Sequence, residues 1–249
     1  MPQGHEPNWG EVTTEARLKA VVLLSGGLDS AVVAAQAKSQ GYHIAALSLD
    51  YGQRHQTELS AASRVAAFLG IKDHRVVRVD LSGIGGSALT STSIAVPKHA
   101  NPDAAIDPTQ VPVTYVPARN TIFLAIALGF AETLGAFDLF YGANALDYSG
   151  YPDCRPAFVS AFETLANVAT REACAGHGRF RVHAPLISLH KHEIIRRGLE
   201  LGVDFALTHS CYDPVGDLAC GRCDACVLRH RGFIDAKISD PTRYVTSGA

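Results

Sequence analysis

The stretch LLSGGLDS, residues 23–30, decides the fold of this chain. It begins within a short apolar run, residues 20–24, that predicts a buried strand, and it leads into a predicted helix that ends near Gln40, before Gly41. Two glycines let the backbone turn sharply and let a phosphate approach the amide N–H groups, while the helix adds the positive end of its dipole. The lysine of the GxxxxGK[ST] pattern is absent. The stretch therefore predicts a phosphate site between a strand and a helix; the alternative is a plain glycine turn with a serine cap.

Short apolar strands alternate with amphipathic helices along most of the chain. Further strands are predicted at residues 44–49, 75–80, 139–144 and 182–186, and further helices at about 59–69, 120–134, 156–169 and 191–201. This alternation predicts an α/β fold with a doubly wound parallel sheet, whose ligands bind at the carboxyl edge of the strands. Residues 1–17 are predicted as a flexible lead-in and 18–249 as a single domain. The stretch 83–113 is predicted as a long, partly mobile loop beside the site, or as plain irregular surface.

The composition indicates a globular protein without a nucleic-acid or membrane partner. Among 249 residues, 47% are hydrophobic and 18% charged, and the formal net charge is -2. No strong overall field therefore recruits nucleic acid or an anionic membrane. No apolar stretch approaches the roughly 20 residues that a spanning helix needs, and the polar first residues do not resemble a signal peptide. We expect a cytoplasmic protein with reduced thiols, in which six cysteines suggest metal binding or catalysis before disulfides.

Four of the cysteines follow the pattern C-x8-C-x2-C-x2-C, namely Cys211, Cys220, Cys223 and Cys226. Four thiolates satisfy a closed tetrahedral zinc site, so we predict one structural Zn²⁺ that holds a small, loop-rich C-terminal subregion over residues 211–226. An iron–sulfur cluster is the main alternative, and two disulfides are a weaker one in this compartment. Cys154 and Cys174 lie outside the pattern and are interpreted as ordinary thiols, with a catalytic role as the alternative.

The strand–SGGxDS–helix arrangement resembles the signature of the ATP-pyrophosphatase (PP-loop) superfamily, which cleaves ATP between the α- and β-phosphates. Longer segments narrow the resemblance: SLDYGQRH (48–55), SALT (87–90), TYVPARN (114–120), GANALDYSGYPDCRP (142–156), HAPL (183–186) and SCYD (210–213). With the cysteines, they resemble the 7-cyano-7-deazaguanine synthase family over about residues 20–233. Ala118 departs from the family, which more usually has glycine there.

The resemblance implies a nitrile-forming ligase of queuosine biosynthesis. Its small-molecule substrates would be 7-carboxy-7-deazaguanine, ATP and ammonia, with Mg²⁺ as a cofactor beside the Zn²⁺, and the protein would be a homodimer. The carboxylate attacks the α-phosphate, ammonia displaces AMP to give an amide, and a second activation removes the amide oxygen as AMP. The enzyme mainly has to neutralise phosphate charge and align the attack.

Site residues are predicted from the motifs and from this resemblance. The predicted catalytic residues are Asp29, Ser25 and Lys191. The predicted nucleotide-binding residues are Leu24, Ser25, Gly26, Gly27, Leu28, Asp29, Ser30, Ala31, Asp50 and Arg119. The predicted substrate-binding residues are Asp147, Tyr148, Tyr151, Asp153 and Arg155, in a loop whose aromatic and acidic side chains suit a flat heterocycle with N–H donors.

Each of these assignments has a structural alternative. Asp29 either helps to hold Mg²⁺ or only caps the helix, and Asp50 either meets the nucleotide or caps a turn. Lys191 either reaches pyrophosphate or is a solvated first-turn lysine. Arg119 and Asn120 either contact an anion or serve as caps or a buried ion pair. The 147–155 loop could be plain surface, and the histidines His55, His183, His190 and His192 are interpreted as solvated or packing residues.

Three rival functions remain open from the sequence. A PP-loop enzyme that modifies tRNA would need a basic surface, which the net charge of -2 does not favour. A zinc-ribbon-like adaptor with a vestigial turn would show no ATP turnover. A self-contained glutamine-hydrolysing amidotransferase would need a second domain to make ammonia, and none is available in the chain.

Overall fold

The computed structural model describes residues 18–100, 111–146 and 151–245. Its strands are β1 Lys19–Leu23, β2 His43–Asp50, β3 Asp73–Arg78, β4 Asp138–Phe140 and β5 Arg181–His183. Its helices are α1 Leu28–Ser39, α2 Thr57–Phe68, α3 Arg119–Leu134, α4 Pro156–Ala169, α5 Arg171–Cys174, α6 Lys191–Glu200 and α7 Asp224–Ala236. The predicted lead-in, residues 1–17, lies outside the described residues. None of the described helices is long and apolar enough to cross a membrane.

The strands form one parallel sheet of five, in the order β3-β2-β1-β4-β5. β1 is central and apolar on both faces, as a parallel strand covered on both sides must be. Ala20 and Val22 pack in one core cluster with α1, α2, α6 and α7. Val21 and Leu23 pack in the other with α3 and α4. The predicted doubly wound α/β fold is therefore confirmed.

The order of strands reverses at β1, because β2 lies on one side of it and β4 on the other. In an open α/β sheet, the crevice at such a point is where ligands bind, outside the carboxyl ends of the strands. The turn at residues 24–27 follows β1 directly, and residues 141–144 follow β4. The topology therefore brings these two segments together.

Three predicted strands are displaced from the observed ones. β3 begins at the polar residue Asp73, since an edge strand does not need apolar residues throughout. The apolar stretch 139–144 leaves the sheet after Phe140, because Gly142 passes against the start of α1: a Cβ on it would lie 3.2 Å from the Ser30 nitrogen. β5 likewise ends at His183, and Leu186 beyond it is buried in the core outside any strand.

The C-terminal segment is more helical than the sequence predicted. The segment was predicted to be rich in loops, but α7 starts directly after Cys223 and buries Val227, Phe233 and Ala236 at helical spacing. Its signal was hidden because cysteines and turn residues dominate the segment. α7 packs closely on α6: a Cβ on Gly232 would lie 2.3 Å from the Lys191 Cγ. The small helix α5 was also missed.

Candidate active site and metal centre

A pocket lies at the carboxyl ends of β1 and β4, where the topology predicts a ligand. It has a volume of about 270 Å³. Its floor is formed by the segments that follow β1 and β4, and its walls by the starts of α1, α3 and α6 and by residues 209–212. Of the predicted site residues, those that line it are Leu24, Ser25, Gly27, Leu28, Asp29, Ser30, Arg119, Tyr151 and Lys191.

The two glycines of the turn have different surroundings. Gly26 is buried with φ +87°, and a Cβ on it would lie 2.2 Å from the Glu58 carbonyl oxygen and 2.5 Å from the Ala62 nitrogen. The space that a side chain at Gly26 would need is therefore occupied by α2. Gly26, which was predicted to bind the nucleotide, does not line the pocket. Gly27 does line the pocket, and the nearest atom to a Cβ there would be the Ser25 Oγ at 3.4 Å. Ala31, predicted as a nucleotide contact, is fully buried in the core and also lies outside the lining.

The serine hydroxyls brace the turn. Ser25 Oγ donates to Ser30 Oγ at 3.1 Å, and Ser30 Oγ donates to the Gly27 carbonyl at 3.0 Å. Gly27 N donates to Ser25 Oγ at 3.3 Å, and Leu28 N donates to Ser210 Oγ at 3.5 Å. Gly27 is the N-cap of the 12-residue helix α1 and makes no side-chain cap bond. The N–H groups and dipole of this helix end suit an anion in the pocket.

Asp29 and Lys191 form an ion pair in the pocket although they lie 162 positions apart in sequence. Lys191 Nζ donates to both carboxylate oxygens, at 2.8 and 2.9 Å. The Lys191 side chain is 14% exposed, because its stem packs on Gly232. Lys191 is therefore not a solvated first-turn lysine. Asp29 does not cap α1, since its carboxylate is directed at Lys191.

An aromatic and cationic wall faces the turn. The Arg119 guanidinium lies 5.9 Å from the centre of the Tyr51 ring, and Phe123 packs on that ring at 5.3 Å. Tyr151 stacks on Tyr115 at 5.6 Å. A cation among aromatic rings is suited to a flat, anionic ligand.

Several residues that line the pocket are not among the predicted site residues, namely Glu58, His209, Ser210 and Arg229. Cys154, for which a catalytic role was only the alternative, lines it too. Burial raises the pKa of Glu58 to about 7, against the opposing effect of Arg119. Burial, then the charge of Asp153, raises the pKa of Cys154 to about 11, so its thiol is protonated at neutral pH and is not activated as a nucleophile. Glu58 follows the quoted motif at 48–55 by three residues, the only local signal that could have indicated it.

Other predicted residues make different contacts. Asp50 ends β2 outside the pocket lining, 3.8 Å from the Arg78 Nε. The buried Asp153 accepts a hydrogen bond from the Asn120 nitrogen at 3.0 Å, which satisfies an N–H at the start of α3. Arg155 is exposed as the N-cap residue of α4. The structure therefore does not bring these three side chains to the pocket. Asp147 and Tyr148 lie outside the described residues.

The four predicted cysteines converge on one point. The sulfur atoms of Cys211, Cys220, Cys223 and Cys226 all lie within 4.8 Å of one another. Those of Cys211 and Cys223 are 3.9 Å apart. Four sulfurs about 2.3 Å from a tetrahedral metal would be separated by about 3.8 Å, so the cluster is compatible with a metal site that has no open position.

Backbone N–H groups support these sulfurs. Cys220 N donates to Cys211 Sγ at 3.2 Å, and Cys223 N donates to Cys220 Sγ at 3.3 Å. Such bonds stabilise thiolate charge and orient the ligands. Tyr212 N donates to Cys223 Sγ at 3.4 Å, and the Tyr212 side chain lines the active-site pocket. The cluster therefore fixes one wall of that pocket.

The loop that was predicted to lie beside the site is tied to the cysteine segment. Ala88 and Val96 pack in the same cluster as the cysteines. Lys98 Nζ lies 2.8 Å from an Asp213 carboxylate oxygen, and His99 contacts both the Arg222 carbonyl and the Asp224 carboxylate. The described part of the loop, up to residue 100, is therefore not plain irregular surface.

Known proteins similar to this chain include sequence relatives of similar length and more distant solved structures. Residues 19–237 match the model of the family described as queuosine biosynthesis protein QueC. A 7-cyano-7-deazaguanine synthase from Geobacter sulfurreducens is 59% identical over 92% of this chain and 94% of that protein. One from Azotobacter vinelandii is 61% identical over 91% and 98%. Among solved structures, NMN synthetase from Francisella tularensis is 16% identical over 90% and 79%, with a TM-score of 0.48. The extent of the family match and the identity of these relatives show that the chain belongs to the QueC family of queuosine biosynthesis proteins.

Proposed function

We propose that this protein is an ATP-dependent ligase that converts 7-carboxy-7-deazaguanine and ammonia into 7-cyano-7-deazaguanine. Relatives that are about as long as this chain carry the name of that enzyme. The observation that carries the proposal is the pocket itself, in which a helix N-terminus, the Asp29–Lys191 pair and an aromatic wall meet.

The nucleotide phosphates bind at the start of α1. The open face of Gly27 and the helix dipole receive them, and Lys191 supplies a positive charge beside them. Asp29 and the phosphate oxygens would hold Mg²⁺, a hard cation that prefers oxygen ligands and would neutralise phosphate charge. The carboxylate of the substrate attacks the α-phosphorus, and pyrophosphate leaves with the electrons of the broken P–O bond.

The heterocycle binds against the wall on the other side of the pocket. Tyr151 offers an aromatic surface, and Arg119 attracts the carboxylate that is to be activated. Asp147 and Tyr148 remain predicted contacts to the ring. Ammonia then displaces AMP to give the amide. A second ATP activates the amide oxygen, whose departure as AMP leaves the nitrile.

We assign zinc to the cysteine cluster because four thiolates in a closed set suit Zn²⁺ in a structural role. An iron–sulfur cluster would instead give visible absorption and iron in the purified protein. The homodimer remains a proposal that rests on the family resemblance, and the cytoplasmic location remains a prediction from the sequence.

The decisive experiment supplies the protein with ATP, Mg²⁺, ammonium and 7-carboxy-7-deazaguanine, and follows the products by mass spectrometry. We expect the nitrile together with AMP and pyrophosphate. An adaptor with a vestigial site would release neither, and an enzyme that modifies tRNA would need tRNA for AMP formation. Release of ADP and phosphate in place of AMP would contradict the proposal.

A further inference from the structure

A small recess adjoins the active-site pocket. It has a volume of about 20 Å³, which is room for about one water-sized molecule. Tyr51, Gln53, Glu58 and Tyr212 line both the recess and the main pocket, so whatever occupies the recess lies next to the bound substrate. Leu89, which is buried, also lines the recess.

Two polar groups of the recess, Gln53 and Glu58, suit a small hydrogen-bond donor. Gln53 Oε1 accepts from the Tyr51 nitrogen at 2.7 Å, and a carbonyl oxygen can accept a second hydrogen bond. The Glu58 carboxylate can accept several. An ammonia molecule has the size of water and carries three N–H groups, which need acceptors of this kind.

Glu58 differs from the other carboxylate of the main pocket. Asp29 is engaged by Lys191 at 2.8 Å. Within residues 18–100, 111–146 and 151–245, the Glu58 carboxylate has no hydrogen-bond or ion-pair partner. The backbone of Glu58 is fixed, because α2 packs on the bare face of Gly26 beside the Glu58 carbonyl.

The protonation of Glu58 suits proton transfer near neutral pH. Burial raises its pKa to about 7, and Arg119 opposes the rise. A general base works best when its pKa lies near the working pH. The other titratable and charged side chains that line the recess are Tyr51, Arg54, His55, Cys211 and Tyr212. Those that line the main pocket with Glu58 include Asp29, Arg119, Lys191, His209 and Arg229.

We propose that the recess is the ammonia site and that Glu58 is the base that accepts the proton lost by the attacking nitrogen. This inference rests on the proposed function. The nitrogen lone pair forms the C–N bond to the acyl carbon of the adenylate, and the C–O bond to AMP breaks with its electron pair on the phosphate oxygen. One N–H proton passes to the Glu58 carboxylate, which returns it to water, so that the amide, AMP and one proton are produced.

The test separates the two half-reactions. Exchange of labelled pyrophosphate into ATP, dependent on the acid and without ammonia, measures adenylation. Amide formation at saturating acid and varied ammonium measures the second step. In Glu58→Gln, which keeps the shape of the side chain, we expect the ratio of amide formation to exchange to fall by about 10²- to 10⁴-fold. In Glu200→Gln, the same change at an exposed position, we expect the ratio to be unaltered.

Two further readouts distinguish a base from a merely structural residue. At a constant concentration of free ammonia, the ratio of amide formation to pyrophosphate exchange in the unaltered protein should rise as the pH passes through about 7, the pKa of Glu58. The reason is that a larger fraction of Glu58 is then in the carboxylate form. This rise with pH should be absent from Glu58→Gln. Methylamine, which exceeds the size of the recess, should replace ammonia poorly.

The outcomes are separable. An unchanged ratio in Glu58→Gln overturns the base, and efficient methylamide formation by the unaltered protein overturns the recess as the ammonia site. If the unaltered protein shows no exchange with the acid, then the proposed function itself fails, and the inference fails with it.

Discussion

Replacing each glycine of the turn by alanine should separate folding from binding. In Gly26→Ala, the new Cβ would lie 2.2 Å and 2.5 Å from two backbone atoms of α2, which cannot move without shifting the helix. The left-handed backbone costs an alanine about 1–2 kcal/mol, and overpacking costs about 1–3 kcal/mol more. We therefore expect a loss of about 2–5 kcal/mol, or a fall in Tm of about 4–20 °C for a chain of this length.

Gly27→Ala should behave in the opposite way. Residue 27 has φ -76°, which alanine adopts without strain, and its nearest contact at 3.4 Å is ordinary. Its stability should change by less than about 0.5 kcal/mol. The methyl group would stand where the phosphates approach the helix end. Loss of one charge-assisted hydrogen bond, about 1.5–3 kcal/mol, should slow pyrophosphate exchange by about 10- to 150-fold.

Thermal unfolding and pyrophosphate exchange, measured on both variants, decide the matter. If Gly26→Ala unfolds at the same temperature as the unaltered protein, then α2 does not rest on that glycine. If Gly27→Ala exchanges pyrophosphate at the normal rate, then the phosphates do not approach the turn at that residue.

Three further predictions follow from individual contacts. Ala118, the N-cap residue of α3, has φ +54°, so Ala118→Gly should raise the free energy of unfolding in urea by about 0.5–1 kcal/mol. Relief of about 1–2 kcal/mol of backbone strain exceeds the cost of the added flexibility of the unfolded chain, about 0.4–1 kcal/mol. An unchanged midpoint would mean that the turn carries no strain. Cys223→Ser should lower both the metal content, measured by mass spectrometry, and the Tm. The same change at the exposed Cys174 should lower neither. A Cys223→Ser variant that kept both its metal and its Tm would show that the cluster does not stabilise the fold. Lys191→Met should reduce the rate of pyrophosphate exchange by about 10²- to 10³-fold, because it removes one fixed charge that stabilises the transition state. The same change at the exposed Lys72 should leave the rate unaltered. Equal rates in the two variants would exclude Lys191 from phosphate binding.

Local patterns determined much of this protein. Residues 20–24 are apolar and are followed by glycines, which is enough to predict a buried strand, a turn and a helix start. The spacing of Cys211 to Cys226 predicted a convergent four-sulfur cluster, because two C-x2-C turns place their thiols near each other whatever the remaining fold is. The doubly wound sheet followed from the alternation of element types along the chain.

The tertiary structure alone decided which of these residues meet. Asp29 and Lys191 become partners only because α1 and α6 lie on the same face of the sheet. Asp153 caps a helix 33 positions away, although its position in a polar loop suggested a ligand. A side chain at Gly26 would collide with α2, and the close packing of α2 on this glycine also brings Glu58 to the pocket. Sequence periodicity records how each segment is buried, whereas the distance between segments depends on strand order and helix packing, which no single segment encodes.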